Sequence, residues 1–406
     1  MERIKVLSVF GTRPEAVKMA PLVQELKKSN YIDCKVAVTA QHRQMLDQVL
    51  SLFDVKPDYD LDIMEERQSL FDITVKALSG LRDVLNEVRP DLVLVHGDTT
   101  TTFAGALASF YMHIKVGHVE AGLRTHNKWL PFPEEMNRKL TGALADLHFA
   151  PTMTAKENLI KEGVDPESIF VTGNTVIDAL RTTVKRDYVF KQPVLNALDY
   201  EKNRVILVTA HRRENLGKPL EDICRGLRDV VERNPDVILV YPVHLNPAVR
   251  DTAYGILKDN ERIILLPPLD TDELHNLMAR CYMVMTDSGG LQEEAPSLGK
   301  PVLVLRAETE RPEAVKAGTV KVIGTARENV LKEAEVLLKD KSEYTRMANA
   351  VNPYGDGFAS RRIVESILYH FGLSDKRPEE FRPEKKTCWL KNEPSTKGKD
   401  GFYKRG

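Results

Sequence analysis

The sequence lacks the features by which membrane, disulfide-rich and nucleic-acid-binding proteins are usually recognised. No apolar run approaches the roughly 20 residues that a membrane span requires, and the charged start of the chain predicts a first strand, not a signal peptide. The 58 Lys and Arg nearly balance the 59 Asp and Glu, and the resulting formal charge of −1 argues against nucleic acid or a membrane surface as a partner. The four cysteines, at positions 34, 224, 281 and 388, show no CxxC spacing, so we expect neither a zinc site nor disulfides. We therefore expect a cytoplasmic protein.

Motifs of several enzyme classes are also missing. No GxGxxG follows a strand and no GxxxxGK[ST] occurs, which disfavours tightly bound NAD and a P-loop. HExxH and GxSxG are absent too, which removes the simplest zinc-protease and serine-hydrolase interpretations. We therefore expect no cofactor and no metal, with the chemistry supplied by side chains at the ends of strands.

Short β-branched runs alternate with helix-length amphipathic segments along most of the chain. The runs lack strict polar alternation, which is typical of strands covered by helices on both faces of a parallel sheet. A length of 406 residues and an apolar fraction of 42% suffice for two or three domains, so the sequence predicts an α/β fold with doubly wound domains. The predicted strands cover residues 4–10, 34–40, 92–96, 114–120, 204–210, 237–241, 262–266, 282–286 and 301–305.

Two segments depart from this alternation. Residues 182–203 carry no motif, and the link between two doubly wound domains is predicted near them. Residues 374–406 contain ten Lys or Arg, six Asp or Glu and three prolines, a composition that predicts a disordered tail.

Polar residues follow the predicted strands, where a parallel sheet binds its ligands. After the first strand, Arg13 and Lys18 lie near a helix start, which indicates either an anion site or a solvated helix end. Asp98 and Glu120 follow two neighbouring strands, and Glu134 begins a helix. A single acid such as Asp98 is commonly a helix cap, but three acids at one edge favour proton transfer.

The second half carries groups suited to a phosphate. His211 follows a strand together with two arginines, although a structural histidine is the alternative interpretation. Ser288 and two glycines open a helix whose backbone amides suit a diphosphate. Glu294 lies farther along that helix, where a carboxylate can accept hydrogen bonds from ribose hydroxyls, and Arg311 adds a cation.

Long motifs of the chain closely resemble the bacterial non-hydrolysing UDP-N-acetylglucosamine 2-epimerases, from Ile4 to about Leu373. The matching motifs are GTRPEAVKMAPL, TAQHRQMLDQVL, VLVHGDTTTT, VGHVEAGLRT, PFPEEMNR, TGNTVIDAL, TAHRRENLG, YPVHLNP, TDSGGLQEEAPSLGKPVLVLR, TERPEAV and NPYGDG. The resemblance implies two Rossmann-like domains facing a cleft, as in GT-B glycosyltransferases. It divides the chain into 1–181 plus 355–373, which carry the acids, 182–354, which bind UDP, and the tail 374–406.

The activity implied by the resemblance is an isomerase reaction that interconverts UDP-N-acetylglucosamine and UDP-N-acetylmannosamine. UDP is eliminated to give 2-acetamidoglucal and is then added back, without a redox cofactor. By resemblance Asp98, Glu120 and Glu134 are the acid and base groups, and His211 is associated with the leaving diphosphate. The product would enter cell-wall or capsule polysaccharide, and a homodimer is implied.

The resemblance also implies two sets of binding residues. UDP and substrate would be held by Arg13, Lys18, Leu269, Leu274, Ser288, Gly289, Gly290, Glu294 and Arg311. A second UDP-N-acetylglucosamine, acting as an allosteric activator, would contact Gln41, Gln44, Arg67, Glu134, Arg212 and His244. Leu269 and Leu274 stand where some relatives carry Gln and Phe, which predicts backbone or apolar contacts to the base.

Two other interpretations remain for the sequence. A GT-B glycosyltransferase would use a UDP-sugar but needs an acceptor surface, and a sugar-nucleotide sensor needs no acid at all. The three acids of the first half favour the epimerase.

Overall fold

The computed structural model describes residues 3–40, 43–65 and 67–383. Within this range the chain forms two parallel β-sheets, one from each half of the sequence. The first sheet has the strand order β3-β2-β1-β4-β5-β6-β7. Its strands are β1 Ile4–Phe10, β2 Ile32–Val38, β3 Tyr59–Asp60, β4 Leu92–His96, β5 Lys115–Val119, β6 Leu147–Ala150 and β7 Ile169–Val171.

The second sheet repeats the same arrangement with the order β10-β9-β8-β11-β12-β13. Both orders are those of a doubly wound Rossmann-type sheet, in which the chain moves outward in one direction and then returns to the centre. The strands are β8 Arg204–Thr209, β9 Val237–Pro242, β10 Ile263–Leu266, β11 Met283–Thr286, β12 Val302–Val304 and β13 Val320–Val322.

Helices connect the strands and cover both sheets. Short 3₁₀ turns occupy Pro166–Ser168 and Arg213–Asn215. The α-helices are α1 Arg13–Lys28, α2 Arg43–Leu52, α3 Leu70–Val88, α4 Thr100–Tyr111, α5 Glu134–Leu144, α6 Met153–Lys161, α7 Thr175–Thr183, α8 Pro193–Asn196, α9 Lys218–Arg233, α10 Pro247–Leu257, α11 Thr271–Arg280, α12 Gly289–Ser297, α13 Pro312–Ala317, α14 Arg327–Lys339, α15 Lys341–Ala348 and α16 Ala359–His370. No helix in the described ranges is both long and apolar enough to cross a membrane.

The predicted α/β architecture is confirmed, and all nine predicted strands are present within two residues of their predicted limits. The central strands are mainly apolar and largely buried, as in β4, whose side chains are all buried. The sequence analysis missed β3, β6, β7 and β13, which contain only two to four residues each. Segments this short leave too few positions for an apolar pattern to be recognised.

The chain passes between the two sheets twice. The first passage leads from β7 into α7, and the second leads from α15 back to α16, which packs against α1 and α7 beside the first sheet. Ile363 and Ile367 of α16 are buried in the same core as β1 and α1. Asp178 of α7 fixes the start of α16 by accepting hydrogen bonds from the backbone of Ala359 at 3.1 Å and Ser360 at 2.8 Å.

The segment 374–383 differs from the predicted disordered tail. Phe381 is only 3% exposed, and its backbone N–H donates to the Val171 carbonyl at 2.7 Å. Arg377 lies over the ring of Phe170, and Glu380 pairs with Lys156 at 2.6 Å. These contacts hold a segment whose composition alone predicts disorder; residues 384–406 of the predicted tail lie outside the described residues.

Candidate active site

Four of the predicted site residues follow strands at the two points where the strand order reverses: Arg13 after β1, Asp98 after β4, His211 after β8 and Ser288 after β11. In the first sheet this point lies between β1 and β4, and in the second between β8 and β11. Loops that leave adjacent strands in opposite directions open a crevice there, which is where doubly wound folds bind their ligands. The helix starts of α1, α4 and α12 all lie at these loops.

Glu15 joins the loops that follow β1 and β4. Its carboxylate accepts hydrogen bonds from the backbone of Thr12 at 2.9 Å and Gly11 at 3.2 Å, and from the Thr99 hydroxyl at 2.8 Å. Burial raises the pKa of Glu15 above its usual value, although these donors oppose the rise. Glu15 thus fixes the loop that carries Asp98 to the start of α1, the helix that carries Arg13 and Lys18. The sequence analysis did not single out Glu15.

Glu120 lies directly after β5 with a left-handed backbone, at φ of 64°. Its buried carboxylate forms an ion pair with Lys18 and accepts a hydrogen bond from the Asn174 side chain at 2.8 Å. Burial would raise the pKa of Glu120, but the neighbouring charges, of which the Lys18 ammonium is the strongest, together outweigh it and the pKa is lowered. His96 Nε2 lies 3.8 Å from the carboxylate, and burial lowers the pKa of this histidine to about 4.

Helix α5 begins at Glu134 and contacts Asp98 in its first two turns. Asp98 forms an ion pair with Arg138, and its carbonyl accepts a hydrogen bond from the Asn137 side chain at 2.9 Å. Glu134 is the first residue of α5, and its buried Oε2 has no hydrogen-bond partner among the described residues. A Cβ atom on Gly97 would lie 3.8 Å from Glu120 Oε1, so the acids of the β4 and β5 loops share one edge of the sheet.

Asp287 organises the corresponding loop of the second sheet. It is fully buried after β11, and its Oδ2 accepts hydrogen bonds from the backbone of His211 at 2.7 Å and Arg212 at 2.8 Å. The imidazole of His211 lies 5.2 Å from that of His244, measured between ring centroids. Desolvation lowers the pKa of His211, and the charges of His244 and Arg212 add to the lowering. Asp287 was not predicted; its position after a buried strand was the available signal.

The start of α12 carries two glycines, so no side chains of its own cover the backbone there. Ser288 occupies the N-cap position, and two glycines follow it as the first residues of the helix. A Cβ atom on Gly289 would lie 2.8 Å from Glu310 Oε1 and 3.7 Å from Arg311 Nη2, so these two side chains lie directly beside the helix start. Backbone amides, the helix dipole and a nearby guanidinium therefore coincide at this point. Gly290 is the second of the two glycines.

Other predicted binding residues occupy the walls of the second sheet. Glu294 is largely buried, and its carboxylate lies 3.3 Å from His275 Nε2, which fixes the orientation of both groups. Leu269 is buried in the core of the second half, and Leu274 packs against that core. Among the described residues no group of three or more His, Cys, Asp and Glu side chains is arranged to hold a metal ion.

The structure places only part of the predicted activator site. Arg212 Nη2 donates to Glu310 at 3.1 Å, and His244 is exposed beside His211. Arg67 is exposed in the segment before α3. Gln41 and the side chain of Gln44 lie outside the described residues.

A cavity of about 450 Å³ lies between the two halves of the molecule. Arg13 lines it together with residues of α2, and the opposite wall includes Lys191 and the start of α11. Arg13 therefore lines this cavity, as predicted for a binding residue, and it faces the start of α11 across it.

The two parallel sheets and the crevice between their reversal points define a two-domain α/β protein with a GT-B-like fold. Residues 24–368 match the model of the UDP-N-acetylglucosamine 2-epimerase family. The chain belongs to this family.

Relatives with solved structures and known names resemble almost the whole chain. The UDP-N-acetylglucosamine 2-epimerase of Bacillus subtilis is 59% identical over 381 residues, which covers 94% of this chain and 99% of the relative. The crystal structure of the Neisseria meningitidis UDP-GlcNAc 2-epimerase bound to UDP-GlcNAc is 51% identical, with a TM-score of 0.84, and the match covers 90% of this chain and all of that one. A Staphylococcus aureus protein solved with UDP is 52% identical, with a TM-score of 0.85 and coverage of 93% and 100%.

Proposed function

We propose that this protein interconverts UDP-N-acetylglucosamine and UDP-N-acetylmannosamine. The observation that carries the proposal is the hydrogen-bonded path across the crevice. It runs from Glu120, at the acidic edge of the first sheet, through Asn174 to Glu293 and Arg311, beside the start of α12. Groups that move a proton and groups that hold a diphosphate are thereby joined in one site. The named activity of the Bacillus subtilis relative supports the same reaction.

The reaction is difficult because the proton on sugar carbon 2 has no adjacent carbonyl group. Its removal alone would leave an unstabilised carbanion, whereas simultaneous loss of UDP from carbon 1 gives the neutral alkene 2-acetamidoglucal. We assign proton transfer to Asp98, Glu120 and Glu134, and stabilisation of the leaving diphosphate to His211, Lys18, Arg311 and the amides of α12. Return of the proton on the opposite face and re-addition of UDP complete the inversion, and the remaining UDP contacts predicted from the sequence belong to this proposal.

Solvent deuterium tests the reaction directly. When the protein is incubated with UDP-N-acetylglucosamine in deuterated water, we expect UDP-N-acetylmannosamine with deuterium at carbon 2. Product without deuterium would contradict the elimination route, and sugar transfer to an added acceptor would favour a glycosyltransferase. Asp98→Asn, Glu120→Gln and Glu134→Gln are each expected to slow turnover at least 100-fold, the usual contribution of general acid–base catalysis, while UDP binding is retained.

We further propose regulation by a second UDP-N-acetylglucosamine at the predicted activator residues. We also retain the domain division predicted from the sequence, with residues 1–181 plus 355–373 in one domain and residues 182–354 in the other. A sigmoidal dependence of rate on UDP-N-acetylmannosamine alone would contradict an obligatory activator. A cytoplasmic location is supported by the thiols of Cys34, Cys224 and Cys281, which are free within the described part of the chain.

A homodimer is also proposed, supported by apolar side chains exposed on neighbouring helices. Phe71 and Val75 of α3 are 84% and 62% exposed, and Phe110 and Tyr111 at the end of α4 are 55% and 65% exposed. Helices α3 and α4 pack against each other, so the four side chains lie on one side of the first sheet. Sedimentation analysis of Phe71→Asp tests this surface; a mass unchanged from a wild-type dimer would place the interface elsewhere.

A further inference from the structure

A buried charge cluster joins the two sheets through one side chain that the sequence analysis left unassigned. The Asn174 side-chain amide donates to Glu120 Oε2 at 2.8 Å and to Glu293 Oε2 at 2.7 Å. Lys18 forms an ion pair with Glu120, and Arg311 forms one with Glu293. The exposed fractions of these four charged side chains are between 1% and 16%, so water screens their interactions weakly.

The orientation of the Asn174 amide is fixed by its other contacts. Its Oδ1 caps helix α7 by accepting from the Val176 backbone at 3.1 Å, and its backbone N–H donates to the Tyr354 carbonyl at 2.6 Å. Rotating the amide would turn Oδ1 towards two carboxylates and leave the cap unmade. The side-chain nitrogen is therefore held between Glu120 and Glu293.

The cluster is balanced as it stands, with two carboxylates and two cations. The other titratable groups that face it are His96, which burial keeps neutral by lowering its pKa to about 4, and Tyr354, whose pKa burial raises. The Glu310 carboxylate also faces Arg311, and it is itself paired with Arg212 and Arg306. Burial raises the pKa of Glu293, whereas the pKa of Glu120 is lowered. Glu293 is thus the carboxylate closer to accepting a proton.

A diphosphate would change this balance. In the function proposed above, Lys18 and Arg311 are the cations that hold it, and each cation that turns towards the ligand leaves its carboxylate less well neutralised. Two buried carboxylates that share one amide donor do not both stay ionised under those conditions. A proton from solvent then binds to the pair, and it returns to solvent when the diphosphate leaves.

We propose that Asn174 and Glu293 are positioning residues, which couple the binding of a nucleoside diphosphate to proton uptake by the Glu120–Glu293 pair. This inference rests on the proposed function only for the assignment of Lys18 and Arg311 to the diphosphate.

Calorimetric titration with UDP at pH 7.5, in two buffers of different ionisation enthalpy, measures the protons bound with the ligand. We expect wild-type protein to take up as much as about one proton more per site than Glu293→Gln, in which only one carboxylate remains. UDP affinity of Glu293→Gln should be retained or increased, because Arg311 is released from its ion pair. The titration of the UDP phosphate itself is common to both proteins. Equal proton numbers in the two proteins would overturn the proposal.

Asn174→Ser separates the amide bridge from the helix cap, because serine caps α7 as well as asparagine does. Without the amide donors both carboxylates are expected to be protonated more readily, so proton uptake with UDP falls and the kcat profile moves to higher pH. Asn234→Ser is the matched control: this buried amide donates to the Val230 carbonyl at 2.8 Å at the end of α9. It should keep both properties of the wild type.

A lower melting temperature of Asn174→Ser with unchanged proton uptake and an unchanged kcat profile would show a purely structural role and refute the proposal. UDP binding requires no turnover, so the proton count can be measured even if the protein fails to epimerise its substrate. An active epimerase without differential proton uptake would refute this inference alone.

Discussion

Replacing Phe381 by alanine tests how firmly the segment 374–383 is held. The ring is 3% exposed, lies near Gly173 and the second passage between the sheets, and has the Arg362 guanidinium 5.5 Å from its centroid. Burial of such a ring stabilises by about 2–3 kcal/mol, and the hydrogen bond from its N–H to Val171 adds about 1 kcal/mol. The ion pairs of the segment are partly exposed and add less than about 1 kcal/mol each.

These magnitudes give a docking free energy of about 3 kcal/mol for the segment, or a docked-to-undocked ratio on the order of 100. A phenylalanine deep in a core costs about 3–5 kcal/mol when truncated, but this segment can detach while the sheets remain folded, which limits the loss. Phe381→Ala is therefore expected to leave docked and undocked forms nearly equal, while global unfolding changes little.

Hydrogen exchange of the Phe381 backbone amide measures the docking. We expect its protection to fall by roughly two orders of magnitude in Phe381→Ala, in proportion to the lost free energy. Lys376→Ala is the control within the same segment, since the Lys376 side chain is 80% exposed and pairs only with Glu379 in the described structure. Unchanged protection in Phe381→Ala would refute the docking argument.

Three further predictions concern other parts of the molecule. In chemical denaturation, Gly122→Ala should destabilise the protein by more than about 2 kcal/mol relative to Gly163→Ala. Both glycines have φ near 90°, but a Cβ at Gly122 would lie 2.2 Å from a backbone oxygen, whereas Gly163 faces open space. Equal losses of stability in the two variants would contradict this. Burial raises the pKa of Asp178 to about 6, so its contribution to stability is complete below about pH 4 and is lost as the pH rises through 6. The stability of wild type relative to Asp178→Asn should thus fall by roughly 3 kcal/mol over that range, and a pH-independent difference would refute the assignment. Asp287→Ala removes the acceptor for two backbone amides of the His211 loop. We expect it to weaken UDP binding at least tenfold by calorimetry, and Asp287→Asn to give an intermediate affinity. Undiminished affinity would show that the loop keeps its shape without Asp287.

The central architecture could be predicted because its cause is local. Strands such as β1, β4 and β8 are mainly apolar runs without strict polar alternation, and their alternation with helices predicts parallel sheets. The acids Asp98, Glu120 and Glu134 were recognised because they follow strands or start a helix at the edge where ligands bind. Their roles stay predictions, but their common location follows from the fold.

The supporting carboxylates could not be recognised in the same way. Glu293 precedes Glu294 on one short helix, and spacing alone does not say which of the two faces the other half of the molecule. From the sequence, Glu15 is an ordinary capping residue of α1; its second role follows only from the hydrogen bond that it accepts from Thr99 in the β4 loop. Phe381 is one aromatic residue in a charged segment, and its backbone hydrogen bond goes to Val171, more than 200 positions earlier in the chain. Partners distant in sequence leave no local pattern.

The return of the chain to its first half has a consequence for synthesis on the ribosome. The core around β1 and α1 is closed by α16 and covered near β7 by Phe381, both of which are translated after the whole second sheet. The first sheet therefore leaves the ribosome with an apolar flank that its own residues do not cover. The residues that cover this flank are translated only after some 200 further residues. A nascent chain of which only the part up to β7 has left the ribosome is expected to expose that flank, and so to be a better chaperone substrate than the released full-length chain.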